Sequence, residues 1–142
     1  MLCYYILVRN SLLIVLPAEC YTYTNNSDST RRITYTAVQT YCDSSLTPGW
    51  YRFVGAAGTG LSTTYVGSPG CGSRNTGFIG SGKFTNLTST SRTAVLGYCF
   101  NQYMVNSCTF KQNISVTFCD NYYVFYISPQ ATAVCPYRYC TE

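Results

Sequence analysis

The residues of this chain with the greatest capacity for chemistry are its cysteines. Nine are present, and all but Cys3 follow residue 18: Cys20, Cys42, Cys71, Cys99, Cys108, Cys119, Cys135 and Cys140. In a reducing compartment so many thiols would need a metal or burial, whereas an oxidising compartment joins an even number into disulfides. The cysteine content therefore predicts a secreted, extracellular protein held together by a disulfide framework.

A metal site and a redox-active thiol are the alternatives to structural disulfides. The sequence contains no Cys-x-x-Cys pair, and zinc knuckles bind the metal through such closely spaced ligands. Nothing in the pattern favours a catalytic or redox thiol. We therefore interpret the eight cysteines as disulfide partners, for which on the order of a hundred pairings exist. Spacing alone does not choose among these pairings.

The composition argues against catalysis. The chain has no histidine, which excludes Ser–His and Cys–His catalysis and every zinc site with a histidine ligand. The acidic residues are too few to supply a carboxylate pair or a calcium cage readily; they are Glu19, Asp28, Asp43, Asp120 and Glu142. A secreted enzyme would need an unusual site. We expect no enzyme activity and no catalytic, cofactor-binding or metal-binding residues.

Two features could suggest a phosphate ligand. Residues 77–83 (GFIGSGK) fit the phosphate-loop pattern until its last position, where Phe84 replaces Ser or Thr. The segment that follows is β-branched, whereas a phosphate loop needs a helix there. The net charge of +4 is mild, and Arg31-Arg32 is the only pair of adjacent basic residues. We therefore expect a glycine-rich turn at 77–83 and no nucleic acid partner.

Three sequons for N-linked glycosylation begin at Asn25, Asn86 and Asn113. In a cytosolic protein they would be chance matches, but in a secreted one they are acceptor sites. Asn113 lies on the polar side of an alternating segment and is the best placed. The sequence therefore predicts a glycoprotein, on the condition that it is secreted.

Residues 1–18 resemble a short secretory signal peptide. The segment is apolar, is interrupted by Arg9, and ends in Pro17-Ala18. Cleavage after Ala18 would remove Cys3 and leave an even number of cysteines. An uncleaved leader or a mis-started exon is the alternative. The segment is a poor match to the ~20-residue apolar helix of a membrane span, so we expect a mature chain of residues 19–142 without one.

Periodicity predicts an all-β fold with short antiparallel strands, hairpins and long loops. Strand signals fall at 33–41, 50–54, 108–118 and 122–127, where β-branched and aromatic residues are concentrated. No stretch shows a convincing helical period, and 94–105 is the best candidate for the single short helix that the pattern allows.

The segment 108–118 alternates between apolar and polar residues, which indicates one buried and one solvated face. Asp120-Asn121 then predicts a tight turn into 122–127, forming a hairpin. The second strand is aromatic on both faces, so we expect it inside the sheet. Cys119 falls on the polar phase, which requires either a disulfide on the outer face or a bulge.

Aromatic residues cluster near the end of the chain, and most are tyrosines: Tyr122, Tyr123, Phe125, Tyr126, Tyr137 and Tyr139. Tyrosine suits both half-buried strands and contact surfaces, because it packs its ring and keeps its hydroxyl in water. Strand packing is the first interpretation. An aromatic contact surface for sugar or protein is the alternative.

At 42–58 (CDSSLTPGWYRFVGAAG) the sequence resembles the eight-cysteine domain of uromodulin and of the pancreatic secretory granule membrane glycoprotein. The likeness continues through Cys71, Cys99 and Cys108, and through Cys119 with the aromatic strand after it. It closes with Cys135-Pro136 and Tyr139-Cys140-Thr141. It covers the chain from about residue 20 to 141, with one departure at Phe78, where relatives usually have tryptophan.

The resemblance implies a disulfide pairing: Cys20 with Cys119, Cys42 with Cys135, Cys71 with Cys140, and Cys99 with Cys108. It also implies a non-catalytic module of extracellular proteins, whose partners are extracellular proteins or glycans. A stand-alone lectin-like or defence binder is the alternative function. Within the Trp50–Phe53 block we expect Arg52 to be held against an aromatic face or a carboxylate, with Asp43 the nearest candidate.

Overall fold

The computed structural model describes residues 7–8, 11–12, 15–37, 39–129 and 137–142. The strands that it contains are β1 (Leu7–Val8), β2 (Ser11–Leu12), β3 (Thr24–Asn26), β4 (Gly49–Phe53), β5 (Thr76–Ser81), β6 (Thr93–Gln102), β7 (Val105–Phe118), β8 (Tyr123–Ile127) and β9 (Arg138–Tyr139). Within those ranges, helical structure is confined to 3-10 turns at Ala18–Cys20, Ser29–Arg31 and Gly55–Ala57. The predicted all-β, disulfide-rich fold class is confirmed.

One seven-stranded sheet forms the body of the protein, in the order β3-β4-β8-β7-β6-β5-β9. The inner pairs are antiparallel, whereas β3 runs parallel to β4 and β9 runs parallel to β5. A separate two-stranded ribbon joins β1 to β2. The sheet is therefore an antiparallel core closed at each edge by a short parallel strand.

The longest strands, β6 and β7, form the central hairpin, and this overturns the predicted helix at 94–105. Leu96, Tyr98 and Phe100 point to the buried side at every second position of β6. That spacing matches the period of a strand, and β7 supplies hydrogen-bonded partners from Thr93 to Gln102. The pattern was ambiguous because Cys99 and Asn101, between the large apolar residues, are buried as well.

The predicted strand at 33–41 is wrong for the residues described there. Most of its side chains are half-buried or exposed, and no strand forms beside them. Its strongest backbone link is the hydrogen bond that the Ile33 N–H donates to the Thr141 carbonyl, at 2.9 Å. Strand propensity reflects packing on a half-buried pleated surface, and without that surface the β-branched residues form a loop.

The remaining strand predictions are confirmed. Residues 50–54 lie largely in β4, and 108–118 and 122–127 form the hairpin of β7 and β8 around the turn at Asp120. Strand β8 lies between β4 and β7, inside the sheet as its two aromatic faces predicted. Thr117 departs from its predicted wet face, because its side chain is fully buried and donates to the Glu19 carboxylate at 2.7 Å.

The two faces of the sheet are buried differently. The inner face carries the main apolar core, and its largest fully buried members are Tyr98, Phe100, Phe125, Leu96 and Leu61. The outer face carries a small cluster of Cys20, Cys119 and Val124, around which half-buried aromatic residues pack. Side chains on the outer face are therefore the ones that remain available for contact.

Candidate recognition face

Strands β4 and β8 direct a group of aromatic and basic side chains to the outer face. Tyr51 and Phe53 point inward and are buried, so the alternating residues Trp50 and Arg52 point outward. Trp50 pairs in register with Tyr126, and their ring centroids lie 5.5 Å apart at 78°. This edge-to-face arrangement is a favoured one for aromatic rings, and it leaves Tyr126 40 % exposed.

Arg52 extends this group towards the start of the chain. Its guanidinium carbon lies 3.8 Å from the centroid of the Tyr122 ring, and its Nη1 donates to the Tyr23 hydroxyl at 3.3 Å. The hydrogen bond from Arg52 lowers the pKa of Tyr23, and burial raises the pKa of Tyr122. Tyr23, Trp50, Arg52, Tyr122 and Tyr126 are called the outer aromatic patch below.

The structure supports one half of the hypothesis for Arg52. Its guanidinium is held against an aromatic face, as expected, but its partner is Tyr122 and not Asp43. Asp43 instead pairs with Arg31, whose Nη1 and Nη2 donate to the carboxylate at 2.9 and 2.5 Å. Sequence proximity was misleading because the 28–43 segment crosses to β9.

A disulfide anchors the outer aromatic patch from below. Cys20 and Cys119 are joined across a sequence separation of 99 residues, and both are buried beside Val124. The Tyr122 hydroxyl donates to the Cys20 carbonyl at 2.7 Å. Cys119 thus reaches its partner on the outer face, which was one of the two possibilities that its polar phase allowed. The link fixes the segment that carries Tyr23 against the sheet.

The structure also joins Cys71 to Cys140, across 69 residues, and Cys99 to Cys108, across 9. The first of these ties β9 to the loop before β5, and the second clamps the β6–β7 hairpin. Cys42 is itself disulfide-bonded, but Cys135 lies outside the described residues, so the pair of Cys42 with Cys135 stays a prediction.

A buried charge cluster holds the 28–43 loop on β9. Besides Arg31, the Asp43 carboxylate accepts from the Tyr139 N–H at 2.8 Å, and Arg138 Nη2 donates to Asp28 at 2.5 Å. Burial alone would lower the pKa of Arg31, but the Asp43 carboxylate outweighs it and raises that pKa. Arg31 is only 4 % exposed, so half of the adjacent basic pair is committed to the interior.

All three sequon asparagines are exposed, and they occupy different parts of the surface. Asn25 lies on the edge strand β3 and pairs with Arg52, Asn86 lies in the loop after β5, and Asn113 lies on the outer face of β7. An oligosaccharide at any of these positions would extend into solvent without moving the core. Their exposure is compatible with modification.

The aromatic residues near the end of the chain divide between the two faces. Tyr123 and Phe125 belong to the inner core, and Tyr137 stacks on Phe110 with ring centroids 5.5 Å apart. Tyr139 is 2 % exposed, and burial raises its pKa to about 12. Strand packing therefore accounts for most of them, and Tyr122 and Tyr126 are the two on the outer face.

The structure offers no catalytic constellation in the described ranges. The residues 77–83 form the end of β5 and a turn, with no helix after them. No group of three or more potential metal ligands comes together among the described residues. The described part of the chain likewise contains no helix long and apolar enough to span a membrane.

One exposed feature had no signal in the sequence. The tip of the β6–β7 hairpin carries Tyr103, Met104 and Val105, which are 42, 73 and 43 % exposed. Arg74 lies 5.1 Å from the Tyr103 ring centroid. Because these residues fell inside or beside the expected helix, their position at a turn could not be anticipated.

A small sheet closed by long-range disulfides, with an aromatic outer face, defines a cysteine-rich, all-β module. The family described as the uromodulin-like domain matches residues 51–141. This is more than half of the chain, and the protein therefore belongs to the uromodulin-like domain family, as the resemblance implied. The members of that family are non-enzymatic modules, and together with the disulfides they indicate an extracellular type of domain. No curated protein matches the chain.

Proposed function

We propose that this protein is a secreted, non-catalytic, disulfide-framed glycoprotein module that acts in extracellular recognition or scaffolding. The observation that carries the proposal is the set of long-range disulfides, with separations of 99 and 69 residues, in a chain of the uromodulin-like domain family. Such bonds form and persist in oxidising compartments. We further propose that residues 1–18 are a signal peptide and that 19–142 are the mature module.

Glycosylation at Asn25, Asn86 and Asn113 is part of the proposal. The exposure of the three side chains supports it, and sugar would add polarity to a surface that has few charges, since only 10 % of the residues are charged. No cofactor or metal enters the proposed function.

We assign the recognition role to the outer aromatic patch. Tryptophan, tyrosine and arginine are enriched at the energetic centres of protein interfaces. Here the Cys20–Cys119 disulfide and the hydrogen bond from Tyr122 to Cys20 hold the patch in one conformation, so binding would lose little conformational entropy. The partner is an extracellular protein or glycan.

A binding comparison tests this assignment. The secreted wild type is screened against arrays of defined extracellular proteins and glycans, and a variant with Trp50→Ala and Tyr126→Ala is screened beside it. Val95→Ser is the matched control, because Val95 is 65 % exposed on the outer face but lies on β6. We expect binding to be lost in the patch variant alone. Equal binding by all three proteins would reject the patch as the contact surface.

A stand-alone lectin-like or defence binder is the second candidate. The exposed pair of Trp50 and Tyr126 favours it, because sugars pack their C–H groups against aromatic rings. Tyr139, in contrast, is too deeply buried to contact a ligand. Array hits confined to one glycan class, and lost with Trp50→Ala, would favour this candidate over a protein partner.

A further inference from the structure

A groove of about 440 Å³ crosses the outer face over β5, β6 and β7, on the other half of the sheet from the outer aromatic patch. Its floor lacks side chains at Gly80 and Gly97. A Cβ at Gly97 would collide with the Ser81 hydroxyl, and one at Gly80 would lie 3.1 Å from the Cβ of Cys99. The close packing around these two glycines therefore keeps the groove open.

Asn113, the acceptor of the third sequon, is itself part of the wall of this groove. It pairs with Gly97, while two residues along the sheet Lys111 pairs with Cys99 and Cys99 with Phe78. Strands lie about 4.8 Å apart and rise about 3.4 Å per residue, so Phe78 lies about 12 Å diagonally across the groove from Asn113. The first two sugars of an N-linked glycan can bridge such a distance.

We propose that the glycan on Asn113 lies in this groove, with its first two N-acetylglucosamine units above Gly97 and against the Phe78 ring. The inference rests on the secretion and glycosylation proposed above. The chain would then carry the ligand of this groove covalently, and the groove would be closed to other partners.

The side chains around the groove suit this occupant. Phe78 is half-buried and braced edge-on by Tyr65, with ring centroids 5.1 Å apart, and aromatic faces attract the polarised C–H groups of a sugar. The exposed Lys111 ammonium can donate to sugar hydroxyl or acetamido oxygens. The glycan would also cover the exposed Cys108 and so shield the Cys99–Cys108 disulfide.

The test compares four secreted proteins: the wild type, Ser115→Ala, Phe78→Leu and the double variant. Ser115→Ala removes the sequon while keeping Asn113. We expect loss of the glycan to lower the Tm by about 3 °C in the Phe78 background and to have no effect in the Phe78→Leu background. Thr88→Ala, which removes the Asn86 glycan, is the control and should act equally in both backgrounds.

Nuclear Overhauser effects between N-acetylglucosamine and Phe78 ring protons in the wild type provide a readout that needs no variant to fold. Their presence is expected. Their absence, together with an equal Tm effect in both backgrounds, overturns the packing of the glycan while the proposed function stands. Peptide mass mapping that finds Asn113 unmodified in secreted protein overturns both the inference and this part of the proposed function.

Discussion

The buried carboxylate of Asp43 provides the sharpest prediction about stability. Asp43 is 1 % exposed and accepts three hydrogen bonds, two from Arg31 and one from the Tyr139 backbone. Asp43→Asn removes the negative charge and turns one acceptor into a donor that faces these donors. Arg31 is then left buried without its counter-charge, and breaking such a pair costs about 3–5 kcal/mol. This is a large part of the 5–15 kcal/mol or so that stabilises a typical domain.

Asp120→Asn is the matched control for this substitution. Asp120 also accepts from an arginine, Arg92, at 2.7 Å, but its side chain is 49 % exposed. Its φ of 67° is a conformation that asparagine tolerates. A surface pair of this kind contributes about 0–1 kcal/mol.

Urea unfolding of the oxidised, secreted proteins measures both effects. We expect Asp43→Asn to lose at least about 2 kcal/mol more than Asp120→Asn, with the difference set by burial. Losses that agree within about 1 kcal/mol would refute the reasoning, because they would show that Asp43 and Arg31 are as well solvated as the surface pair.

Three further outcomes are expected. Gly77→Ala should cost about 1–3 kcal/mol in urea, because its new methyl group would press into the inner aromatic core, whereas Gly49→Ala, with nothing within 4 Å, should change little; equal midpoints would contradict this. Arg52→Ala should cost about 1–2 kcal/mol through its lost contact with Tyr122, and an unchanged Tm would disprove that packing role. Burial raises the pKa of Asp28, but hydrogen bonds from Thr30 and the positive charges of Arg138 and Arg31 outweigh it and lower that pKa. The stability that Asp28 contributes is therefore present above about pH 4 and lost as the pH falls through its lower folded pKa, so Asp28→Asn should flatten the acid unfolding curve, and an unaltered curve would contradict the ion pair.

The sequence predicted the strands whose pattern is local. In β7 the alternation of apolar and polar residues, followed by a turn at Asp120, was enough to predict the hairpin with β8. Strand β4 was recognisable because it follows Pro48-Gly49 and is dense in aromatic residues. These elements obey a period that their own residues display.

Other parts of the fold depend on partners far away in the sequence. Residues 33–41 have the composition of a strand but meet no strand to pair with, and β6 contains buried residues on both of its faces. The pairing of Arg31 with Asp43 was not anticipated either, because no local pattern tells which carboxylate a buried arginine will reach. Of the candidate site, the sequence indicated Arg52 on an aromatic face, while its division from the inner aromatics required the sheet.

Sulfur chemistry provides the most direct test of the account, since the whole proposal depends on an oxidised module outside the cell. Peptide mass mapping of the secreted protein under non-reducing conditions should recover Cys20 linked to Cys119, Cys71 to Cys140, and Cys99 to Cys108, together with the predicted link from Cys42 to Cys135. Recovery of free thiols at these positions, or of other pairs, would contradict it.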